Sequence, residues 1–195
     1  MFTGIIKAKG LVVDIEKNNN IFSFETDYDL DDCNIGTSIN CDGICLTMVS
    51  LEKNKNKFIF KVNIGEETIE RSTSKYWNVG SIINLEKSLK VGDEIAGHFV
   101  YGHIDCISKI LKINNLKNSW NMFFELADIN NKLIVEKGSI AINGISLTIA
   151  NLYKDSFCVS IIPHTYNTTN LLKLDVDDVV NLEFDMLSRY VLKNK

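Results

Sequence analysis

The sequence predicts an all-β protein made of two copies of one module joined head to tail. Three observations carry that expectation. A glycine-centred polar segment occurs twice, in matching surroundings. Short β-branched and aromatic runs alternate with turn residues along the whole chain. Helical spacing is confined to isolated turns and to the last ten residues.

The repeat decides the organisation, because a missed repeat mis-assigns the whole fold. Ser38-Ile39-Asn40-Cys41-Asp42-Gly43-Ile44-Cys45-Leu46-Thr47-Met48 recurs as Ser139-Ile140-Ala141-Ile142-Asn143-Gly144-Ile145-Ser146-Leu147-Thr148-Ile149, an offset of 101. Thr3-Gly4-Ile5-Ile6 corresponds to Tyr101-Gly102-His103-Ile104 at offset 98. Glu67-Thr68 matches His164-Thr165, and Asn84-Leu85-Glu86 matches Asn181-Leu182-Glu183, both at offset 97. Four matches in one order and nearly one register are hard to obtain by chance. The offset drops where the first copy's Lys/Asn-rich turn is about four residues longer than the turn at Lys154-Asp155. The boundary falls near Glu94–Gly97, giving modules 1–96 and 97–185 and a C-terminal segment 186–195.

Within each module, strands are predicted at Phe58–Val62, Trp120–Leu126, Phe157–Ile162 and Val179–Phe184, which are short, aromatic or β-branched, and partly alternating. Strands recurring every 8–12 residues between Gly, Asn and Asp clusters point to small closed barrels. Pro163 ends a strand, where a ladder can lose a donor. Thr168–Leu172 and Ser72–Ser74 can each cap a single turn, and Leu187, Tyr190, Val191 and Asn194 have the spacing of a short amphipathic helix. Such a helix is marginal alone and is expected to pack on a barrel or another subunit. The run Lys53–Lys57 reads as a solvated loop.

Composition narrows the function classes. A net charge of -4 provides no broad basic surface for nucleic acid or an anionic membrane. No apolar run reaches the roughly 18 residues that span a bilayer, and no secretory leader is evident, so the chain is expected to be cytoplasmic. Five cysteines, an odd number without a CxxC pair, argue against a disulfide framework or a zinc site.

Met1-Phe2-Thr3-Gly4-Ile5, Asp42-Gly43-Ile44-Cys45-Leu46-Thr47, Gly97-His98-Phe99-Val100-Tyr101-Gly102-His103-Ile104 and Asn143-Gly144-Ile145-Ser146-Leu147-Thr148 together resemble the riboflavin synthase family. The resemblance spans essentially the whole chain, in order. It implies two tandem six-stranded Greek-key barrels, a short C-terminal helix and a homotrimer. It also implies a reaction: two molecules of 6,7-dimethyl-8-ribityllumazine dismutate to riboflavin and 5-amino-6-ribitylaminouracil, with no cofactor or metal. In the family the active site forms between the N-terminal barrel of one subunit and the C-terminal barrel of its neighbour. Duplication suits such chemistry, because two copies of one substrate need two similar pockets. Fixing both in orientation removes about 7–11 kcal/mol of barrier.

The resemblance and the repeat together select the candidate site residues. Cys45 and Ser146 occupy equivalent positions before Leu46-Thr47 and Leu147-Thr148, and their divergence is where two bound substrates would be treated differently. Cys45 is the candidate nucleophile, in a position that is otherwise that of a small strand residue. Thr47 and Thr148 are paired hydroxyls able to donate to or accept from a pterin edge, Thr148 also counting among the catalytic candidates. His103 matches the family's active-site histidine. Its imidazole suits deprotonation of the acidic C7 methyl of the lumazine. His98 is read as part of the linker between the modules.

Substrate contact is further expected from Gly4, Ile5 and Ile6, and from Gly102 and Ile104. It is also expected from the corresponding segments Asn63-Ile64-Gly65-Glu66-Glu67-Thr68 and Ile161-Ile162-Pro163-His164-Thr165-Tyr166. These segments wrap the ligand with backbone groups in the family, which accounts for their divergent side chains around a shared Thr. Lys137 is placed either to reach a ribityl chain or simply on an exposed turn. Asp185 reads as a helix N-cap, and the family adds a role in holding Ser146 or a bound ring. One departure from the family pattern is Asn143 where Asp is usual; the first copy retains Asp42. Two other readings stay open: a non-catalytic lumazine- or flavin-binding protein, and a duplicated barrel serving only assembly.

Overall fold

The computed structural model describes residues 1–127 and 132–193. Among them, strands β1 (Ala8–Glu16), β2 (Ile21–Thr26), β3 (Ser38–Cys41), β4 (Ile44–Asn54), β5 (Lys57–Asn63) and β6 (Ile82–Lys87) close one antiparallel barrel. Strands β7 (Cys106–Leu116), β8 (Ser119–Glu125), β9 (Ser139–Ile142), β10 (Ile145–Leu152), β11 (Ser156–Ile161) and β12 (Val179–Phe184) close a second. The order around the first is β1-β2-β5-β4-β3-β6, and the second repeats it as β7-β8-β11-β10-β9-β12. Strands β3, β4 and β5 follow one another by hairpins and β6 returns beside β3, which is a Greek key. The fold is therefore the one expected: all-β, with two tandem six-stranded barrels.

Each barrel is filled by the inward half of an alternating pattern. In β5, Phe58, Phe60 and Val62 are buried while their neighbours are not. Phe24 and Phe60 stack at 5.1 Å in the first core, and Phe124 and Phe157 at 5.4 Å in the second. The long strands bend to close the barrels at irregularities between Val12 and Asp14, Met48 and Ser50, Ile110 and Lys112, and Ile149 and Asn151. Bulges of this kind sharpen local twist and allow closure.

The β3–β4 and β9–β10 hairpins turn on two residues each, Asp42-Gly43 and Asn143-Gly144, all four with positive φ. That is the type I′ turn, whose twist matches the flanking strands and which favours Asp-Gly and Asn-Gly. Asp42 and Asn143 thus share a conformational role that either residue satisfies.

Two expectations are corrected. The Lys53–Lys57 run is not a loop: Lys53 pairs with Phe58 and Asn54 with Lys57, leaving only Lys55 and Asn56 as the turn. Cross-strand pairing overrides weak strand propensity there, and the extra residues of the first copy lengthen its ladder. Pro163 does not end a strand; it opens helix α2 (Pro163–Thr168), where its missing N–H costs nothing. The segment following β5 likewise becomes helix α1 (Glu66–Arg71).

The single turns are capped as read: Ser72 accepts from the Ser74 N–H, and Thr169 from the Leu171 N–H. Helix α3 (Met186–Lys193) begins with Asp185 accepting the Leu187 N–H at 3.0 Å. Its Arg189 pairs with Asp105 of the second barrel, while Leu187, Tyr190 and Val191 face outward. Asn194, part of the helical spacing in the sequence, lies outside the described residues. No helix among the described residues is long and apolar enough to cross a membrane.

Candidate active site

The segment that opens each copy is bound by both barrels. Thr3 N–H and Oγ1 and the Gly4 N–H all donate to the buried carboxylate of Glu86, at 2.8, 2.8 and 3.1 Å. Tyr101, Gly102 and His103 N–H groups donate to the equivalent Glu183 at 2.6, 2.8 and 3.1 Å. Each glutamate thus clamps the opening segment of its own copy. The far side of that segment lies on the other copy. The Ser146 N–H donates to the Gly4 carbonyl and the Cys45 N–H to the Gly102 carbonyl, both at 2.8 Å. Ile6 packs against the second core and Ile104 against the first. Phe2 and Val100, both fully buried, pair antiparallel between the two segments.

Two glycines make this contact possible. Gly102 has φ +81, and a Cβ there would lie 2.4 Å from the Cys45 Cβ. Gly4 has φ +76, and its Cβ would lie 2.6 Å from the Ser146 Cβ. Only glycine satisfies the left-handed backbone and the close approach together. Both equivalent positions, Cys45 and Ser146, are therefore roofed by the other copy's opening segment.

On the first barrel, Ile44, Cys45, Glu67, Thr68, Arg71, Gly102, His103 and Ile104 line one cleft of about 350 Å³. This brings together six of the sequence-selected residues from three distant stretches of chain. His103 and Glu67 are exposed, Thr68 and Cys45 half-buried. Glu67 and Arg71 pair at 3.0 Å across one helical turn at the cleft's rim, a solvated contact worth little by itself. The Thr68 carbonyl accepts the Ser72 hydroxyl at 2.6 Å, which fixes the end of α1. Thr47 lies two residues beyond Cys45 on β4, on the same outward face, and is exposed. Leu46, Ile64 and Ile161 point into the barrel cores, so only their backbones are presented outward.

On the second barrel, Ser146 is flanked by Gly4, Gly97 and His98. Thr148 is exposed on the same face as Ser146. Helix α2 corresponds to α1 and carries His164, Thr165 and Tyr166. Thr165 offers its carbonyl to the Thr169 hydroxyl at 2.7 Å, as Thr68 does to Ser72. Tyr166 stacks face to face on Trp120 at 3.9 Å and packs against the second core. Ile162, Pro163 and His164 are exposed, as are Asn63, Gly65 and Glu66 in the first copy. Lys137 has φ +66 at a turn, its N–H bound to the Ile149 carbonyl and its side chain exposed. The same place in the first copy is Gly36.

Burial pushes the pKa of Cys41, Cys33 and Cys158 up, and that of Cys106 up to about 11. Those four are held as neutral thiols at neutral pH, and Cys45 is the cysteine that lines the cleft beside His103.

Sequence reasoning missed the residues that assemble the site. Glu86 and Glu183 were visible only as repeated acids in apolar strands. Asn84 and Asn181 repeat in the same way and tie the barrels together. Asn84 Nδ2 donates to the Asn143 carbonyl at 3.0 Å, and Asn181 Nδ2 to the Asp42 carbonyl at 2.8 Å. Asn143 Oδ1 accepts the Asn181 N–H at 2.8 Å, so Asn143 is a turn and seam residue. Asp42 holds the equivalent place and accepts from Asn84 N–H at 2.7 Å and Asn170 Nδ2 at 3.0 Å.

The lumazine binding domain family matches residues 3–88 and 101–185. The chain is thus a tandem pair of lumazine binding domains, each match covering one copy. Full-length relatives narrow this further. Riboflavin synthase of Brucella abortus (strain 2308) is 37% identical over 99% of this chain and 97% of its own length. Riboflavin synthase of Buchnera aphidicola subsp. Schizaphis graminum is 36% identical over 98% and 92%. LumP in complex with riboflavin superposes with a TM-score of 0.81 at 23% identity, over 94% of this chain and 99% of LumP, which supports the fold. The chain belongs to the riboflavin synthase family.

Proposed function

We propose that this protein is a riboflavin synthase, a transferase that moves a four-carbon unit between two molecules of 6,7-dimethyl-8-ribityllumazine and releases riboflavin and 5-amino-6-(D-ribitylamino)uracil. The reaction is a dismutation, so atoms and electrons balance between the two substrate molecules without an oxidant. The observation that carries the reading is the pair of equivalent constellations on one chain, Cys45 under Gly102 and Ser146 under Gly4. Two like pockets hold two like molecules, and unlike groups within them assign the molecules unlike roles.

In this reading His103, open to solvent at the rim of the first cleft, takes the C7-methyl proton of one lumazine. Cys45 engages the electrophilic ring carbon of the other. Thr47 and Thr148, each two residues along the same face, hydrogen-bond the pterin edges. The backbones of 63–68 and 161–166 complete the contacts. Both constellations open outward, consistent with a homotrimer in which the first barrel of one subunit closes on the second barrel of its neighbour. A cytoplasmic setting follows from the same reading.

Incubation of the purified protein with 6,7-dimethyl-8-ribityllumazine alone tests it. Riboflavin and the aminouracil appearing in equal amounts is the expected result. Tight lumazine binding without turnover would leave a binding protein, and neither would leave an assembly module.

A further inference from the structure

The pair His98 and Ser146 carries a role that the repeat does not account for. His98 Nδ1 lies 2.7 Å from Ser146 Oγ. The imidazole is half-buried, and its Nε2 is closed to solvent with no hydrogen-bond partner. The approach is built in: a Cβ on Gly97 would lie 2.9 Å from Ser146 Oγ and 2.1 Å from the Thr3 carbonyl, so the chain passes there only as glycine. The His98 N–H in turn donates to that Thr3 carbonyl at 3.2 Å.

Ser146 has both a glycine roof and an imidazole bonded to its side chain; Cys45 shares the roof.

The tautomer follows from burial. A buried N–H without an acceptor is rarer and costlier than a buried lone pair without a donor. The unpartnered Nε2 is then the bare nitrogen and Nδ1 carries the hydrogen. Burial favours the neutral ring, with Asp185 pulling in the opposite direction. A neutral Nδ1–H donates to Ser146 Oγ, which frees the serine's own hydrogen to point elsewhere.

We propose that His98 is a positioning residue of the second barrel's site: its Nδ1–H fixes the Ser146 hydroxyl as a donor toward an acceptor atom of the bound heterocycle. The proposal rests on the functional reading above. It makes the two sites differ in hydrogen-bond direction as well as in Cys45 against Ser146.

The test is a double-mutant cycle on the full-length protein, with His98→Gln, Ser146→Ala and the double variant, plus His98→Asn. The asparagine amide can place a donor where Nδ1 stands, and the glutamine amide cannot. Riboflavin formation from 6,7-dimethyl-8-ribityllumazine is measured beside thermal melting. His98→Gln is expected to lower kcat/KM about tenfold, the loss of one oriented hydrogen bond. It should cause no further loss in the Ser146→Ala background, and His98→Asn should restore activity. If His98→Gln does not fold, His98→Ala takes its place in the cycle. Losses that multiply independently, an equal loss in His98→Asn, or no loss at all would overturn the proposal. If the unmodified protein makes no riboflavin, the functional reading fails by itself. The same cycle is then read from riboflavin fluorescence on binding, where coupling between His98 and Ser146 still decides.

Discussion

The Cys45 N–H donates to the Gly102 carbonyl at 2.8 Å across a junction where the two residues come from different copies of the repeat. The Ser146 N–H donates to the Gly4 carbonyl in the same way, with the copies exchanged. Each barrel's central hairpin strand is therefore completed by the segment that begins the other copy. The two modules are not independent beads: neither constellation is complete within 1–96 or within 97–185.

Replacement of Gly102 by alanine is expected to be among the most damaging small changes. The left-handed backbone and the collision with Cys45 together cost about 2–5 kcal/mol. Gly36 has φ +91 but open space around a Cβ, so Gly36→Ala should cost only about 1–2 kcal/mol. Urea unfolding of both variants checks the difference. Equal midpoints would mean that the segment does not press on Cys45.

Glu183→Gln should loosen the segment that carries His103. The carboxylate accepts three backbone N–H groups. An amide offers one oxygen and opposes them with its own hydrogens, a loss of about 2–3 kcal/mol. Turnover is expected to fall with stability, and amide exchange at residues 101–103 to quicken. Protection of those amides at the level of the unmodified protein would contradict the clamp.

Asp42 gives a pH signature. Burial raises its carboxyl to about 8. Between its unfolded value near 3.8 and about 8 the folded state holds a proton that the unfolded state has lost. Stability from this group therefore falls as pH rises through that window, by up to about 1.4 kcal/mol per pH unit, and levels off above it. Asp42→Asn should remove that slope while keeping the turn, since Asn143 already fills the equivalent place. Unfolding midpoints measured from pH 5 to pH 9 compare the two proteins; identical slopes would show that Asp42 titrates normally.

His103 is exposed, so His103→Gln should leave folding within about 0.5 kcal/mol. Its effect is expected in turnover, lowered by about 10²–10⁴ with little change in substrate affinity. Parallel losses in both would make it a binding residue. Cys45→Ala with unchanged turnover would likewise remove Cys45 from the chemistry.

Much of this was legible in the chain. Alternation in β5 and the caps at Ser72, Thr169 and Asp185 are local, and local backbone preferences are written in neighbouring residues. The places where the reading failed are places where a distant partner decides. Lys53 and Asn54 are strand because β5 pairs with them.

By itself the sequence determined that there are two barrels, that they share a frame, and that Cys45 and Ser146 are equivalent positions. What it could not express is which copy's opening segment covers which barrel, or that His98 lies on Ser146. Duplication makes that ambiguous, because two nearly identical segments fit two nearly identical barrels. Only the tertiary structure resolves it: Glu86 and Glu183 hold one side of each segment, and Ser146 and Cys45 hold the other, and these are contacts between residues far apart in the chain.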